Sequence, residues 1–553
     1  MRGLLRSSCA VWLAMFSVVS CSDPSGLELD ETRRPTASES GAASTPLDLG
    51  ERDLFELAAT IPSYGGHFFD SNGQLTVWVA DLAESDRARQ ALRSLVMRGH
   101  IRTSGRLVGG AISVRQGRFT VSQLAAWRSR TLGSRRLDGL VWVDLDERAN
   151  RIALGVTAAQ FDHSIEILGR ELSSVGVPSE AIVFHAVGQS RDVSRSRFAP
   201  IARAITLRNT ATTLGSFADT LVGGLRWEWR DAVSQWWGPC TIGFTAELST
   251  GDVGFVSASH CSPIKFATDG NYGLVRQPLS GPTVGYERYD QQALQCPGFP
   301  LLCQQYRFSD ANLNIVDARP VRVGYLARPS SRFHRDGVDT TLNPWGSYLR
   351  IDGTSTSIVQ GSMVDHIGAT RGWRYGEVEA TCVTNYLDPW LNTAIRCAYK
   401  VDINVIDGDS GGPVFYYDYF GGAIAAGVLY RKDGDKAWFG KWDYVNNEVT
   451  GSWPAPAWIR IVANDNTPAP ITTIVGPSEQ QPGNSCYWYA ATNFAADTFE
   501  WRVNGVVVGT NADLEYVGTT NFILNVQASN QSTGSGATLQ VTVSASSSSC
   551  FVQ

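Results

Sequence analysis

The sequence lacks three features that would assign it to common functional classes. After its first twenty residues it has no apolar run long enough to cross a bilayer, and it has no CxxC pair of the kind that binds zinc. Only 18% of its 553 residues are charged and the formal net charge is -6, which argues against a general nucleic-acid-binding protein. We expect no metal and no cofactor. Its 43% apolar residues indicate a globular protein, and its length is typical of about three or four domains.

Residues 1–21 have the pattern of an export signal. Two arginines precede a short apolar run that ends in VVSC at Cys21. This ending resembles the lipobox of bacterial lipoproteins, in which the cysteine is lipidated; a plain signal peptide with a chance cysteine is the alternative. Residues 22–50 are polar and small, which predicts a disordered tether. We therefore expect a lipoprotein of the outer membrane or cell surface, or a protein secreted after processing.

Of ten cysteines, eight remain when the two in the signal region are removed. An even number in an exported chain suggests four disulfides. Only the first pair has independent support, because a predicted hairpin joins its two members; the others are expected between sequence neighbours. The expected pairs are Cys240 with Cys261, Cys296 with Cys303, Cys382 with Cys397, and Cys486 with Cys550.

Strand and helix patterns divide the rest of the chain into three structured regions. Residues 51–188 mix alternating strands with helical spacing and predict an α+β module. Residues 189–219 are basic and irregular, as in an exposed connector. Residues 220–463 are short strand-like runs separated by Gly, Asp and Pro, which predicts an all-β barrel or sandwich. A linker, 464–474, precedes a last block, 475–553, in which alternating strands and turn signals recur.

One serine of the β region lies in an unusual glycine-rich stretch. The run DGDSGGP places Ser410 directly before Val414 and Phe415, which belong to a predicted buried strand. A tight turn between two strands is the simplest interpretation. The alternative is a nucleophile. That role requires a histidine base, a carboxylate and amide donors, because a serine hydroxyl alone reacts poorly.

His260 is the best candidate for that base. It ends the apolar strand GFVSASHC, and the predicted hairpin that carries it has Cys240 and Cys261 at its two ends. A disulfide between them would fix the strand. The other two histidines of the β region are weaker candidates, because His334 lies in a polar stretch and His366 has no flanking pattern that would fix a base.

Three motifs together resemble the chymotrypsin-fold serine proteases, in their bacterial alpha-lytic and streptogrisin-like branch. They are Cys240 with the strand GFVSASHC, the serine stretch GDSGGP, and TLVGGLRWEW, which is similar to the start of the mature enzymes. The resemblance implies a double β-barrel of the chymotrypsin type.

The same resemblance implies a role for particular residues. The segment SDANL is similar to the family's carboxylate segment, which makes Asp310 the carboxylate and leaves Asp317 as the alternative. Ser410 would attack the scissile carbonyl, His260 would take and return the proton, and Asp310 would fix the imidazole tautomer. The amides of Gly408 and Ser410 would form the oxyanion hole.

Two departures from the family's pattern leave the cleavage preference open. Cys397 lies thirteen residues before Ser410, whereas the family has a cysteine shortly before the serine loop, so we expect a remodelled pocket wall. In place of the family's G-x-x-S-x-G strand, Tyr430, Arg431 and Lys432 lie near the positions that bind substrate backbone.

The two outer regions carry looser resemblances. Residues 51–188 resemble the pro-segments of the same branch, which assist folding and then inhibit the enzyme; a permanently attached domain is the alternative. Cleavage close to Leu221, where the mature enzymes of the family begin, would separate this module from the barrel. The run FEWRVNG, Phe499 to Gly505, resembles a strand and turn of bacterial immunoglobulin-like modules and predicts a C-terminal β-sandwich.

The sequence therefore predicts an exported, lipid-anchored serine endopeptidase that cleaves proteins or peptides through a Ser/His/Asp acyl-enzyme mechanism. The alternative is a catalytically silent, protease-like scaffold that serves adhesion or binding through its immunoglobulin-like domain. No pattern identifies a ligand of that last domain.

Overall fold

The computed structural model of the chain is mostly β, with many sheets and few helices. Its described residues form thirty-four strands and five α-helices. Within this part of the chain, no helix has both the length and the apolar character needed to span a membrane. The structure describes residues 52–97, 101, 112–133, 139–187, 190–192, 212–230, 237–267, 273–278, 281–294, 305–343, 348–355, 357–388, 393–417, 422–450, 455–463, 472–475, 477–492, 498–511, 513–529 and 534–545.

The N-terminal region combines four helices with short strands. Its elements are α1 (Arg52–Thr60), β1 (Tyr64–Phe69), β2 (Leu75–Val79), α2 (Ser85–Met97), β3 (Ser113–Gln116), α3 (Val121–Gly133), β4 (Leu140–Asp146), β5 (Arg151–Thr157), α4 (Phe161–Ser174), β6 (Ile182–Val187) and β7 (Ser190–Asp192). In α2, Ala88, Leu92 and Leu95 recur at the spacing of one helix face, and all three are buried. They join an apolar core with β2 and β5, so this region has a core of its own.

The central region is built almost entirely of strands. Its elements are β8 (Leu221–Gly223), β9 (Arg226–Arg230), β10 (Trp237–Thr241), β11 (Phe244–Leu248), β12 (Val253–Ser257), β13 (Leu274–Arg276), β14 (Thr283–Asp290), β15 (Gln305–Arg307), β16 (Asn312–Val316), β17 (Val321–Ala327), β18 (Arg332–His334), β19 (Tyr348–Thr354), β20 (Met363–Gly368), β21 (Gly372–Asp388), β22 (Thr393–Val401), β23 (Pro413–Tyr417), β24 (Gly422–Asp433), β25 (Lys436–Lys441), α5 (Trp442–Val449) and β26 (Ile459–Arg460). Eight of these strands form one sheet in the order β10-β9-β13-β14-β16-β12-β11-β26.

A second, larger sheet contains the remaining central strands, among them the run β22-β25-β24-β23-β20-β21. Large side chains of both sheets meet in one apolar core: Trp227 and Phe255 come from the first sheet, and Phe415 and Trp438 come from the second. Burying these residues together gives the driving force for packing the sheets face to face. The loops that leave β12 and precede β16 and β23 therefore come close together.

The N-terminal region and the central region share a sheet. Strand β4 pairs antiparallel with β21, with Val143 opposite Thr384, and β5 and β6 extend the sheet further. A side-chain hydrogen bond also joins the two regions, because the Thr381 hydroxyl in β21 donates to the carboxylate of Glu147 (2.8 Å). The sequence boundary at residue 188 thus separates two regions that are joined by main-chain hydrogen bonds.

The C-terminal region consists of two sheets around a separate core. Its elements are β27 (Thr472–Val475), β28 (Glu479–Gln480), β29 (Ser485–Thr492), β30 (Thr498–Val503), β31 (Val506–Gly509), β32 (Asp513–Val517), β33 (Phe522–Ser529) and β34 (Gly534–Val543). The sheet β27-β29-β32 contributes Trp488, and the sheet β28-β34-β33-β30-β31 contributes Trp501 and Phe522 to the same core. Two sheets that bury their facing side chains form a sandwich.

Substitution of Gly254 tests how closely β12 pairs with β16. A Cβ atom at this position would lie 2.0 Å from the main-chain oxygen of Asn314, which cannot move without breaking the sheet. We expect Gly254→Ala to lower the free energy of unfolding by about 1–3 kcal/mol or more. Gly353→Ala in β19 is the matched control, because its Cβ would meet only a side-chain carbon of Ile424 at 3.6 Å. Equal denaturation midpoints for the two variants would contradict this packing.

Candidate active site

His260 lies in a short helical turn directly after β12 and is only 6% exposed. Two constraints hold this turn. The Cys261 amide donates to Ala258 O (3.0 Å), and a disulfide joins Cys261 to Cys240 in β10. The structure therefore contains the first of the four expected disulfides, and this bridge fixes the chain immediately beside the imidazole.

Asp310 holds His260 by two hydrogen bonds. One oxygen of the Asp310 carboxylate accepts from the backbone amide of His260 (3.0 Å), and the other accepts from its Nδ1 (3.1 Å). The sheet brings the two residues together, because β12 pairs antiparallel with β16 and Ser257 lies opposite Asn312. Since an ionised carboxylate only accepts, the proton sits on Nδ1 and the Nε2 of a neutral ring is left as a base.

Asp310 is completely enclosed, and a lysine balances its charge. Lys265 Nζ lies 3.4 Å from the same oxygen that accepts from His260 Nδ1. Burial alone would raise the pKa of Asp310, but Lys265, His260 and the more distant Arg307 outweigh burial and hold that pKa below its ordinary value. Asp310 is therefore ionised at neutral pH, as a carboxylate that orients a base must be.

Ser410 lies against the same strands. Its carbonyl accepts from the Thr241 amide (2.8 Å) and lies 4.0 Å from the sulfur of Cys261, next to His260. The Ser410 hydroxyl and His260 Nε2 are both buried, and neither has a hydrogen-bond partner among the described residues. The structure thus brings Ser410 near the pair of His260 and Asp310, and the Ser410 hydroxyl and His260 Nε2 are not hydrogen-bonded to each other.

The loop that carries Ser410 is held by the carboxylate of Asp409. This carboxylate accepts from the amides of Ile406 (3.1 Å), Thr370 (3.0 Å) and Arg371 (3.1 Å). Burial raises the pKa of Asp409, and Arg374 and the three amide donors oppose that shift. The aspartate before the serine therefore links two loops through their main chains, and the serine lies on a rigid support.

Glycine is required at two positions of this loop. Gly408 has φ +96 and Gly411 has φ +83, which an L side chain adopts only with strain. A Cβ at Gly411 would also lie 2.0 Å from the Ser257 hydroxyl. The strand behind the loop therefore leaves no room for a side chain.

Two amides of the serine loop are uncommitted. Those of Asp409, Gly411 and Gly412 donate to main-chain carbonyls, at 3.1, 2.7 and 3.2 Å. Among the described residues, no main-chain carbonyl accepts from the amides of Gly408 and Ser410. These are the two amides that the resemblance implied as oxyanion donors, and two such N–H groups beside a serine hydroxyl are able to bind a developing negative charge.

The alternative candidates lie elsewhere. Asp317 is exposed just after β16, and His334 is exposed in β18. His366 is buried in β20 with Nδ1 3.2 Å from Pro413 O, and burial lowers its pKa to about 3. Such a ring stays neutral, and no carboxylate of the described residues bonds to it, so His366 lacks the partner that a base of this kind requires.

The structure describes two of the expected disulfides completely. Besides the bridge at Cys261, Cys382 in β21 is joined to Cys397 in β22. Cys486 is disulfide-bonded, but its expected partner Cys550 lies outside the described residues. The same is true of the expected pair Cys296 and Cys303, and of the lipidation candidate Cys21.

Sequence reasoning missed the charged residues that surround Asp310. Lys265 lies only five residues after His260, within a stretch that carries no motif. Arg307 and Glu448 form an ion pair (3.1 Å) behind the Asp310 loop, although they are far apart in the chain. No local pattern could have identified either interaction, because each depends on which strands pair.

No protein-family model matches the chain, and no curated protein is significantly similar to it. Solved structures give weak similarities. Nocardiopsis protease is 20% identical with a TM-score of 0.29, covering 44% of this chain and 100% of that one. A glutamic acid specific serine protease with a histidine triad in substrate binding is 17% identical with a TM-score of 0.25, covering 40% and 93%. At these TM-scores the similarities carry no argument for function, which has to be judged from the site.

Asparagine in place of each candidate carboxylate tests the assignment of Asp310. Asp310→Asn should lower kcat about ten-thousandfold for a hydrolysed substrate, because an amide cannot hold the required tautomer of His260. Asp317→Asn, at an exposed position of the same segment, should leave kcat within about twofold. Steady-state kinetics of both variants decides between them. The reverse ranking would make Asp317 the functional carboxylate.

Lys265→Met tests the electrostatics around Asp310, because it removes the charge and keeps the apolar stem. Without Lys265, the pKa of Asp310 should move up towards its ordinary value. A carboxyl whose folded-state pKa lies below the unfolded value of about 3.9 adds stability above that pH and loses it as the pH falls. We therefore expect the free energy of unfolding to decrease less between about pH 5 and about pH 3 in the variant than in the wild type.

Urea denaturation at the two pH values measures this difference. An acid-induced decrease as large in the variant as in the wild type would mean that Lys265 does not act on Asp310.

Proposed function

We propose that the protein is a serine endopeptidase that hydrolyses protein substrates through an acyl-enzyme. The observation that carries this proposal is the buried pair of His260 and Asp310 beside Ser410, whose hydroxyl is uncommitted. Acyl transfer needs a nucleophile, a base held by a third group and donors for the oxyanion, and the site offers all of them.

The reaction proceeds in two halves. Ser410 Oγ attacks the carbonyl carbon of the scissile amide while His260 Nε2 takes the hydroxyl proton, and the carbonyl oxygen becomes an oxyanion held by the amides of Gly408 and Ser410. His260 then donates the proton to the leaving amine, the C–N bond breaks and an ester remains on Ser410. Water attacks this ester while His260 takes its proton, and His260 then gives that proton to Ser410 Oγ as the ester C–O bond breaks, which releases the carboxylic acid and restores the serine. Asp310 stays ionised and balances the imidazolium.

Strand β24 is where we place the main chain of a substrate. It joins the serine loop through two bonds, from the Gly411 amide to Leu429 O (2.7 Å) and from the Leu429 amide to Gly412 O (3.0 Å). In the uncut chain, β7 (Ser190–Asp192) pairs antiparallel with residues 431–433 of β24. Strand β7, which comes just after residue 188 and ends the N-terminal region, thus occupies the strand edge where we place the substrate, and this supports an inhibitory role for the module.

Cleavage close to Leu221, expected from the sequence, finds no support in the fold. Leu221 and Val222 are buried, and the Leu221 amide donates to Pro320 O (2.8 Å). The chain before them is also held, because Leu214 is buried and its amide donates to Thr340 O (2.9 Å). A protease needs an accessible and flexible backbone. Cleavage close to Leu221 stays a prediction that requires this segment to open, and a permanently attached module stays the alternative.

We retain export and lipid anchoring at Cys21 as part of the proposal. The disulfides are compatible with an oxidising compartment outside the cytoplasm. The lipid itself is supported only by the VVSC sequence at the end of the signal. The C-terminal sandwich is proposed to be an immunoglobulin-like accessory module.

Alanine variants of one histidine and one serine test the proposed reaction. His260→Ala and Ser410→Ala should each lower kcat for a peptide substrate by on the order of a millionfold, because members of such a site act as a unit. His334→Ala is the matched control: this ring is exposed in β18, and its loss should leave kcat within about threefold. The kcat for hydrolysis of casein and of a panel of peptides measures the effect. Undiminished hydrolysis by His260→Ala would refute the mechanism, and an inactive but folded wild type would favour the silent scaffold.

A further inference from the structure

A buried network of charges lies behind the pair of His260 and Asp310. Its centre is Arg307, at the end of β15, whose guanidinium is fully enclosed. Two carboxylates face it: Asp290 Oδ1 accepts from Arg307 Nη1 (2.6 Å), and Glu448 Oε2 accepts from Nη2 (3.1 Å). These residues come from three separate elements, β14, β15 and α5.

Glu448 binds the main chain that leads to Asp310. Its carboxylate accepts from the amide of Phe308 (2.7 Å), from the amide of Ser309 (3.1 Å) and from the Ser309 hydroxyl. Arg307 also binds this segment, because its Nη2 donates to the main-chain oxygen of Ala311 (2.8 Å). Glu448 of helix α5 thus fixes the backbone before Asp310, and Arg307 of β15 fixes the backbone after it.

Asp290 connects this network to the other member of the pair. Its second oxygen accepts from the Ser259 hydroxyl (2.6 Å), and Ser259 directly precedes His260. The Ser259 amide in turn donates to the main-chain oxygen of Asp310 (3.2 Å). The two turns that carry the pair are therefore tied to a common set of buried charges.

Stability alone gives no reason for such a network. Taking a guanidinium and two carboxylates out of water is unfavourable, and apolar side chains of similar volume often stabilise a core equally well. Burial raises the pKa of Asp290 to about 6 in spite of Arg307, which shows how unfavourable its enclosed charge is. The network can fix the orientation of the chain segments that it joins, because each carboxylate oxygen accepts hydrogen bonds from specific donors.

We propose that Glu448 and Arg307 are positioning residues, which set the distance and angle between Asp310 and His260 without touching the substrate. The proposal rests on the function proposed above. It adds to the site residues that hold the main chain around Asp310, among them Glu448 of helix α5, about 140 residues further along the chain than Asp310. A displacement of the base by about 1 Å can lower turnover about a hundredfold.

The test is Glu448→Gln, compared with Val449→Ala. Glutamine keeps the size of Glu448 but has only one acceptor oxygen, so its NH₂ group must face either the Phe308 amide or the Ser309 donors and one of these two contacts is lost. Val449 is buried in the same helix, and its truncation should lower the unfolding temperature without moving the Asp310 loop. We expect Glu448→Gln to lower kcat about a hundredfold with KM within about twofold. Val449→Ala should keep kcat within about threefold of the wild type.

A second readout does not depend on turnover. The Nδ1 proton between His260 and Asp310 should give a strongly deshielded one-dimensional proton resonance, assigned by its loss in His260→Ala. We expect this resonance in the wild type and in Val449→Ala, and its shift or loss in Glu448→Gln. If Glu448→Gln does not fold, Ser309→Ala, which removes only the hydroxyl bond to Glu448, should show the same change with about a tenfold loss of kcat.

The outcomes separate the two proposals. A wild type that shows the resonance but hydrolyses nothing would refute the proposed function. The change of the resonance in Glu448→Gln would then decide the positioning role alone. An unchanged resonance and a kcat within about threefold in Glu448→Gln, or in Ser309→Ala if the former is unfolded, would overturn the positioning role. So would an equal loss of kcat in Val449→Ala.

Discussion

The antiparallel pairing of β12 with β16 is the constraint on which the site depends. It places the turn with His260 beside the turn with Asp310, so that one carboxylate can hold both the amide and the ring of the histidine. The fit is close, because Gly254 leaves no room for a side chain between the strands. A shift of this register by one residue would reverse the faces and separate the pair.

The serine loop depends on a second constraint, the packing of the two sheets on each other. Gly411 fits against Ser257 at the end of β12, and the Thr241 hydroxyl of the first sheet donates to Gly408 O (2.7 Å). These contacts join parts of the chain that are far apart in sequence. Such long-range closure is slow to form. The N-terminal module extends the larger sheet through β4, and we propose that it assists this closure.

The sequence was informative where the chemistry imposes a local pattern. Ser410 could be identified from the sequence because its loop needs glycine at positive φ and the strand after it needs apolar residues. Both requirements are visible in the sequence within ten residues. His260 was found from its place at the end of an apolar strand beside a cysteine, and Asp310 was found through the resemblance. By contrast, the contacts of Lys265 and Glu448 depend on tertiary packing and have no local signal. The pairing of Leu221 with Val321 likewise joins strands about a hundred residues apart and has no local signal.

The central claim is that Ser410 is a nucleophile activated by His260, and mass spectrometry of a fluorophosphonate adduct tests it most directly. The wild type should gain the mass of one phosphonyl group on the peptide that contains Ser410, whereas His260→Ala should gain none under the same conditions. An unlabelled but folded wild type, or a phosphonyl group on a different serine, would contradict the account.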